Sequence, residues 1–154
     1  MKAFQYKFQS ILNLKEQEET NLKEEYGALK RAFHEAEKAL EQLKDRKDGY
    51  ISELNSDEGQ GALDVNKAML YRNYLTHLRE QIAATKEIKE ERKEEMNKGF
   101  ERLVEKTKEK KMFEKLKEKH KETFMSEQLR NLQNELDDMA QGRFNHQKSQ
   151  DGGR

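Results

Sequence analysis

The histidines and two closely spaced glycines are the residues of this chain whose types could support chemistry. The four histidines are His34, His77, His120 and His146. They form neither an HExxH motif nor another metal-binding spacing, which predicts positions on the surface or in a tail. Gly59 and Gly61 lack the GxxxxGKS or GxxxxGKT pattern of a phosphate-binding loop, which favours a turn. The sequence therefore predicts no catalytic, cofactor-binding or metal-binding residue.

Residues 105–121 carry a local excess of positive charge. The segment holds eight lysines and four glutamates, and it contains no arginine, whose planar fork suits phosphate best. A contact with nucleic acid or with an acidic partner is one interpretation. From the sequence we favour the other, a solvated helical face crossed by Glu–Lys pairs four residues apart. We therefore expect no nucleic-acid partner.

The composition fits long helices better than a globular domain. Of the 154 residues, 32% are hydrophobic, below the roughly 45–50% of a typical domain, and 40% are charged. Intrinsic disorder is the competing class. The balance of 31 basic and 31 acidic residues argues against it, because disorder usually accompanies high net charge. With no cysteine, no evident signal peptide and no long apolar run, we expect a cytoplasmic protein without direct membrane insertion.

A stripe of mostly apolar residues with heptad spacing, the N-terminal stripe, begins at Leu22. Its positions, separated alternately by four and three residues, are Leu22, Tyr26, Leu29, Phe33, Ala36, Leu40, Leu43, Lys47, Tyr50 and Leu54. All of them except Lys47 are apolar, and the residues between them are mostly good helix formers. A stripe sustained over this length predicts a coiled-coil helix.

A second stripe follows the glycines and weakens along the chain. It begins with Tyr71, Leu75, Leu78 and Ile82 in the same spacing. Continued in register from Thr85 to Phe113 it becomes mostly polar, so we expect the middle of the second helix to be weakly held. A later apolar set in a different register predicts a stutter or bend before it. This set is Met125, Leu129, Leu132, Leu136 and Met139.

The segment between the stripes predicts the turn of a helical hairpin. Asn55, Gly59 and Gly61 suit a helix C-terminus, and Asp64 suits the N-cap of the next helix. We therefore predict an all-α fold, a long antiparallel two-helix coiled-coil hairpin with a C-terminal helical overhang. The hairpin would form one domain over residues 1–141, with helices at about 4–54 and 63–141 around a turn at 55–62. A disordered tail would follow at 142–154.

The chain termini bring together two apolar sets at the open end of this hairpin. The N-terminal set consists of Phe4, Phe8, Ile11 and Leu12, and Lys15 and Glu19 interrupt the face before Leu22. Folding about residue 59 would place Phe4 near residue 114. At about 1.5 Å per residue, the second helix, roughly 120 Å long, outruns the first, at roughly 75 Å. An overhang with an apolar stripe gains burial in a partner, and imperfect coiled-coil packing is the alternative.

Three stretches of the sequence resemble the flagellar export protein FliJ family over nearly the whole chain. They are the start "FQYKFQSILNLKEQEE", the turn pattern "Y-x3-LN-x-D-x-G-x-G" from Tyr50 to Gly61, and "LYRNYLTHLREQI" after it. The resemblance implies a non-enzymatic stalk component of the flagellar type III export apparatus, built like the central stalk subunit of rotary ATPases. It implies three partners, namely the export ATPase hexamer, the export-gate membrane protein and export chaperones. Peripheral association with the inner membrane through that apparatus would follow.

The resemblance also assigns two contact sites. By position, Leu43, Tyr50, Tyr74 and Leu78 match the family's export-gate contact, from which Arg46 departs because an aromatic residue is expected there. The terminal end is implied to bind the ATPase ring. The residues we assign to that contact are Phe4, Phe8, Ile11, Leu12, Leu129, Leu132 and Leu136.

Two other functions fit the same pattern. The equivalent stalk of a virulence type III secretion system is the closer alternative. A generic homodimeric coiled-coil scaffold, with Leu129 to Met139 as its interface, is the other, and a monomer mass of 18.3 kDa in solution would favour the hairpin over it. The sequence identifies neither the chaperones nor the substrates that the protein handles.

Overall fold

The protein folds into two long helices that pack against each other in opposite directions. The computed structural model describes residues 2–153, so Met1 and Arg154 lie outside it. Helix α1 spans Gln9–Gly59 and helix α2 spans Val65–Asp151. The predicted all-α helical hairpin is confirmed. The chain divides into two units, the turn unit (residues 18–107) and the terminal unit (residues 2–17 and 108–153), and each is described by itself.

Heptad spacing produces the packed seam of the turn unit. All ten positions of the stripe from Leu22 to Leu54 are buried or half-buried, as the spacing predicts. The most deeply buried residues of this unit are Glu19, Ala36, Leu40, Leu75, Leu78, Ile82 and Gly99. Because the residues between these positions are mostly exposed and charged, one narrow stripe supplies the burial that holds the two helices together.

The turn is built from a glycine cap and an aspartate cap. Gly61 adopts a left-handed φ of 68°, and its N–H donates to the Glu58 carbonyl while that of Ala62 donates to the Asp57 carbonyl. This pair of bonds closes α1 as a Schellman motif, in which glycine is the residue that bears positive φ without strain. Asp64 then caps α2, since its Oδ1 accepts from the Lys67 N–H at 2.7 Å.

The helices begin and end at different residues from those we expected. Helix α1 begins at Gln9 and runs to Gly59, where the sequence indicated about 4–54. Helix α2 continues to Asp151, through the segment for which we expected a disordered tail after residue 141. With no proline in the chain, Gly142 is the one weak helix former between the last apolar residues and Phe144, and a single glycine does not end a helix.

Charged residues occupy seam positions of the turn unit that appeared to break the stripe. Glu19 is 4% exposed, so it continues the heptad instead of interrupting it. Nearby, the Lys106 Nζ lies 2.7 Å from the Glu18 Oε2, and an Arg102 nitrogen lies 2.8 Å from the Glu25 Oε1. Such pairs orient the two helices, although exposed pairs of this kind contribute little to stability. The polar middle of α2 therefore keeps the register that the sequence assigned to it.

Gly99 marks a close approach between the helices. A Cβ added at this residue would lie 2.6 Å from the Leu29 Cδ1, whereas one added at Gly49 would meet no atom within 4 Å.

Alanine in a helix interior is favoured over glycine by about 1 kcal/mol. We expect Gly49→Ala to raise the free energy of unfolding by about that amount, and Gly99→Ala to lose the gain because Leu29 must move. Urea titration followed by circular dichroism measures both, and equal gains would contradict the close packing.

Candidate protein-binding surfaces

Aromatic side chains fasten the N-terminal segment to α2 in the terminal unit. The Tyr6 hydroxyl donates a hydrogen bond to the Phe113 carbonyl at 3.0 Å, and Tyr6 is 8% exposed. The ring of His120 lies 5.7 Å from that of Tyr6 and 6.3 Å from that of Phe8, measured between centroids. The Phe4 ring lies 5.6 Å from the Phe124 ring. Residues 4–8 are therefore ordered by ring packing although they precede α1.

Phe4 lies further along α2 than we expected. Folding a continuous helix about residue 59 placed it near residue 114, but it packs on Phe124. Residues 2–6 are not helical, and an extended chain advances about 3.3 Å per residue where a helix advances about 1.5 Å. The pairs Lys15–Glu109 and Tyr50–Tyr74 also show that the helices fold about residue 62 and not 59, which accounts for most of the difference. The non-helical segment accounts for the rest.

The residues assigned to the terminal contact divide into a packed group and an exposed group. Leu12 is 3% exposed and packs in the seam, while Phe4 and Phe8 are half-buried and Ile11 is 39% exposed. The seam keeps its register beyond Leu12, since the Lys15 Nζ pairs with the Glu109 Oε2 at 2.9 Å. Leu12 therefore supports the fold, while Phe4, Phe8 and Ile11 keep part of their surface in solvent.

The later apolar set of α2 faces solvent. The exposed fractions are 59% for Met125, 67% for Leu129, 45% for Leu132, 57% for Leu136 and 63% for Met139. We call these five residues the apolar stripe. Phe113, Lys117 and Phe124 continue the seam register in this unit, so no stutter brings the stripe into the seam. A row of large apolar side chains left in water on a helix is typical of a binding surface.

A tyrosine cluster lies close to the turn. The Tyr50 ring lies 4.9 Å from the Tyr71 ring and 4.3 Å from the Tyr74 ring, and all three side chains are half-buried. Leu43 is half-buried as well, whereas Leu78 is 1% exposed. The structure thus joins Tyr50 to Tyr74 directly, and it buries Leu78 in the seam.

Three exposed apolar residues next to this cluster were missed at the sequence level. Val65, Met69 and Leu70 are 77%, 59% and 67% exposed. The sequence pattern indicates the exposure of two of them, because Met69 and Leu70 precede Tyr71 and fall outside the heptad positions.

A hydrogen bond fixes the cluster to the turn. The Tyr71 hydroxyl donates to the Asp57 Oδ2 at 2.7 Å. Asp57 is also the residue whose carbonyl accepts the Ala62 N–H in the glycine cap. This hydrogen bond, together with the negative charge of Asp57, raises the pKa of Tyr71 to about 12, because ionised tyrosine could no longer donate.

We expect this hydrogen bond to be visible in a spectroscopic titration. The raised pKa means that the bond is fully present below about pH 10, the ordinary tyrosine pKa, and is lost as the pH rises through about 12. Tyr71 should therefore ionise late when absorbance at 295 nm is followed against pH. Tyr71→Phe should remove that late phase. A late phase that survives the substitution would contradict the assignment.

Residues 2–153 also carry histidines, acidic side chains and two long helices, which bear on metal binding and membrane insertion. All four histidines are exposed, as the sequence predicts. Within this range no group of three or more histidine, cysteine or acidic side chains is placed to hold a metal ion. Neither described helix contains a stretch apolar enough to cross a membrane.

Comparison with known proteins gives one match. The model of the family described as "Flagellar FliJ protein" matches residues 4–149, which is nearly the whole chain. The chain belongs to the FliJ family. No curated protein and no solved structure matches it. Membership in the FliJ family confirms the resemblance seen in the sequence and makes the chain a flagellar export-associated protein, in a family of non-catalytic export components.

Proposed function

We propose that this FliJ-family chain is a non-enzymatic stalk component of the flagellar type III export apparatus. Its terminal unit binds and stimulates the export ATPase hexamer, its turn unit contacts the export-gate membrane protein, and it handles export chaperones. The association with the inner membrane is peripheral, through that apparatus, and the protein works from the cytoplasmic side. Family membership over residues 4–149 supports the apparatus, and the two exposed surfaces support the two contacts.

The apolar stripe is the observation that carries the ATPase contact. Leu129, Leu132 and Leu136 belong to a part of α2 in which every residue from 129 to 153 is exposed. A helix that packs against nothing is poorly stable in water, so burial of its apolar face in a partner offsets the cost of ordering it. Phe8 and Ile11, in the same unit, extend the surface.

The tyrosine cluster carries the gate contact. Tyr50 and Tyr74 are half-buried, with Leu43 in the same packed unit, and tyrosines of this kind are frequent anchors of protein interfaces. Leu78 contributes by supporting them, since its side chain is 1% exposed. The exposed Leu70 adjoins the cluster and adds apolar surface to it.

A homodimeric scaffold is less well supported. The apolar stripe has heptad spacing, but it extends from Met125 to Met139, about two heptads, where a coiled coil usually needs about three or four. Of the positions that flank the stripe, Glu135 alone is charged, so opposite charges are not available to pair two copies; the others are Ser126, Gln128, Gln133, Ala140 and Gly142.

ATPase stimulation by a stripe variant tests the proposal. We expect Leu129→Glu with Leu136→Glu to lower stimulation of the purified export ATPase at least about tenfold, because charge replaces the apolar anchors. Glutamate preserves helix propensity. The matched control is Asn134→Glu with Gln141→Glu, which adds the same charge to the opposite face of the same exposed segment. Equal effects of the two variants, with equal helicity by circular dichroism, would contradict the contact.

A further inference from the structure

Four lysines form a row on the outer face of α2 in the terminal unit. They are Lys108, Lys111, Lys115 and Lys119. Steps of three, four and four residues place them on one side of the helix, and all four are exposed. At about 1.5 Å per residue the row is roughly 16 Å long. Four of the eight lysines in residues 105–121 thus form one line of positive charge along the helix.

The four lysines of the row form no ion pairs among the described residues, although acidic residues lie nearby. Within residues 2–153 none of its four lysines forms an ion pair, whereas Lys106 and Lys110, on the seam side, pair with Glu18 and Glu114. The pairs four residues apart that the sequence favoured are absent from the row, because the residue four positions after Lys111 is Lys115. Like charges at this spacing destabilise a helix. Lys106 and Lys110 thus have acidic partners, and the four lysines of the row present their charge to solvent.

We propose that this lysine row binds a line of carboxylates on the protein partner that receives the apolar stripe. The inference rests on the proposed function, because that partner is the export ATPase ring. The row and the stripe belong to the same unit and to the same helix, ten residues apart between Lys119 and Leu129. The stripe supplies apolar burial, and the row supplies long-range attraction and orientation during docking.

The chemistry of the row favours carboxylates over phosphates. It contains no arginine, which is the residue that grips phosphate with two parallel hydrogen bonds. Exposed Glu118 and Glu122 lie beside the row, so a broad anionic surface such as a lipid bilayer would also meet their like charges. A single line of acidic side chains on a protein could contact the lysines without covering Glu118 and Glu122. Carboxylates spaced three and four residues apart on a helix would match the spacing of the lysines.

The test compares two variants that remove the same charge. The row variant replaces all four lysines of the row with glutamine. The control variant replaces four exposed lysines of the turn unit with glutamine, namely Lys44, Lys86, Lys93 and Lys98. The readout is the concentration of each protein that gives half-maximal stimulation of the purified export ATPase between 50 and 200 mM NaCl, a range of salt in which the Debye length falls from about 14 Å to about 7 Å.

We expect the row variant to need about tenfold more protein at the lowest salt and to lose most of the salt dependence, as removal of steering charges does. The control should stay within about twofold of the unmodified chain, since its lysines lie outside the docking surface. A row variant that behaves like the control overturns the inference. Row-dependent binding to phosphatidylserine vesicles, with stimulation unchanged, would also overturn it by assigning the row to a membrane.

Failure of this inference and failure of the proposed function are distinguishable. If Leu129→Glu with Leu136→Glu abolishes stimulation while the row variant does not alter it, the ATPase contact stands and only the lysine row is wrongly assigned. If the stripe variant retains full stimulation, the contact itself is refuted, whatever the row variant does. Circular dichroism of every variant should show unchanged helicity, because each altered residue is exposed.

Discussion

Replacing Leu78 with alanine is expected to lower the free energy of unfolding by about 3 kcal/mol, within the range for buried leucines. Leu78 is 1% exposed and lies in the turn-unit seam, where the loss of its side chain leaves a cavity between the helices. Leu70→Ala is the matched control, since Leu70 lies on the same helix and is 67% exposed. It should change the free energy by less than about 0.5 kcal/mol.

Urea denaturation followed at 222 nm measures both changes. A small effect of Leu78→Ala, close to that of Leu70→Ala, would show that Leu78 does not hold the seam. Gate binding by Leu78→Ala alone separates two roles for Leu78 in the gate contact. If gate binding by Leu78→Ala is normal at low temperature, where the variant remains folded, Leu78 acts through the fold alone.

Replacing Tyr50 with alanine is expected to weaken binding to the gate's cytoplasmic domain about thirtyfold, as loss of an interface anchor does. Tyr50 is the centre of the cluster, because its ring contacts both Tyr71 and Tyr74. Its removal takes away one aromatic ring and leaves Tyr71 and Tyr74 without the ring that they contact. Stimulation of the ATPase should remain, since the apolar stripe belongs to the other unit.

Tyr26→Ala is the control for that experiment. Tyr26 is half-buried in the same unit, and its ring contacts Phe100 at 5.6 Å, so its loss removes a comparable aromatic contact away from the cluster. Surface-immobilised binding assays report both affinities. Equal weakening by the two substitutions would indicate a general loss of stability, and an unchanged affinity for Tyr50→Ala would exclude the cluster from the gate contact.

The parts of the fold that depend on local spacing could be predicted from the sequence. The stripe from Leu22 to Leu54 faces the seam because heptad spacing alone determines which side of a helix is buried. Asp64 was identified as an N-cap because its side chain acts on a residue three positions away. Both features need no knowledge of distant residues.

The parts that depend on distant partners could not be predicted. Glu19 looked like an interruption of the stripe, and Lys15 did too, because its partner Glu109 lies 94 positions along the chain. The packing of Phe4 on Phe124 was missed because the helices fold about residue 62 and not 59, and because the first residues are not helical. The sequence predicted that the apolar stripe belongs to an overhang. It did not predict which face of α2 carries the stripe relative to the seam, because that depends on where the seam register continues.

The central claim is that the two surfaces of this FliJ-family chain serve different partners. Site-specific photo-cross-linking tests it most directly, with a photoreactive amino acid placed at Leu132 in one protein and at Leu70 in another, both exposed positions. In a mixture of ATPase ring and gate cytoplasmic domain, we predict that the probe at 132 labels the ATPase and the probe at 70 labels the gate. Labelling of the gate from position 132, or of the ATPase from position 70, would contradict the account.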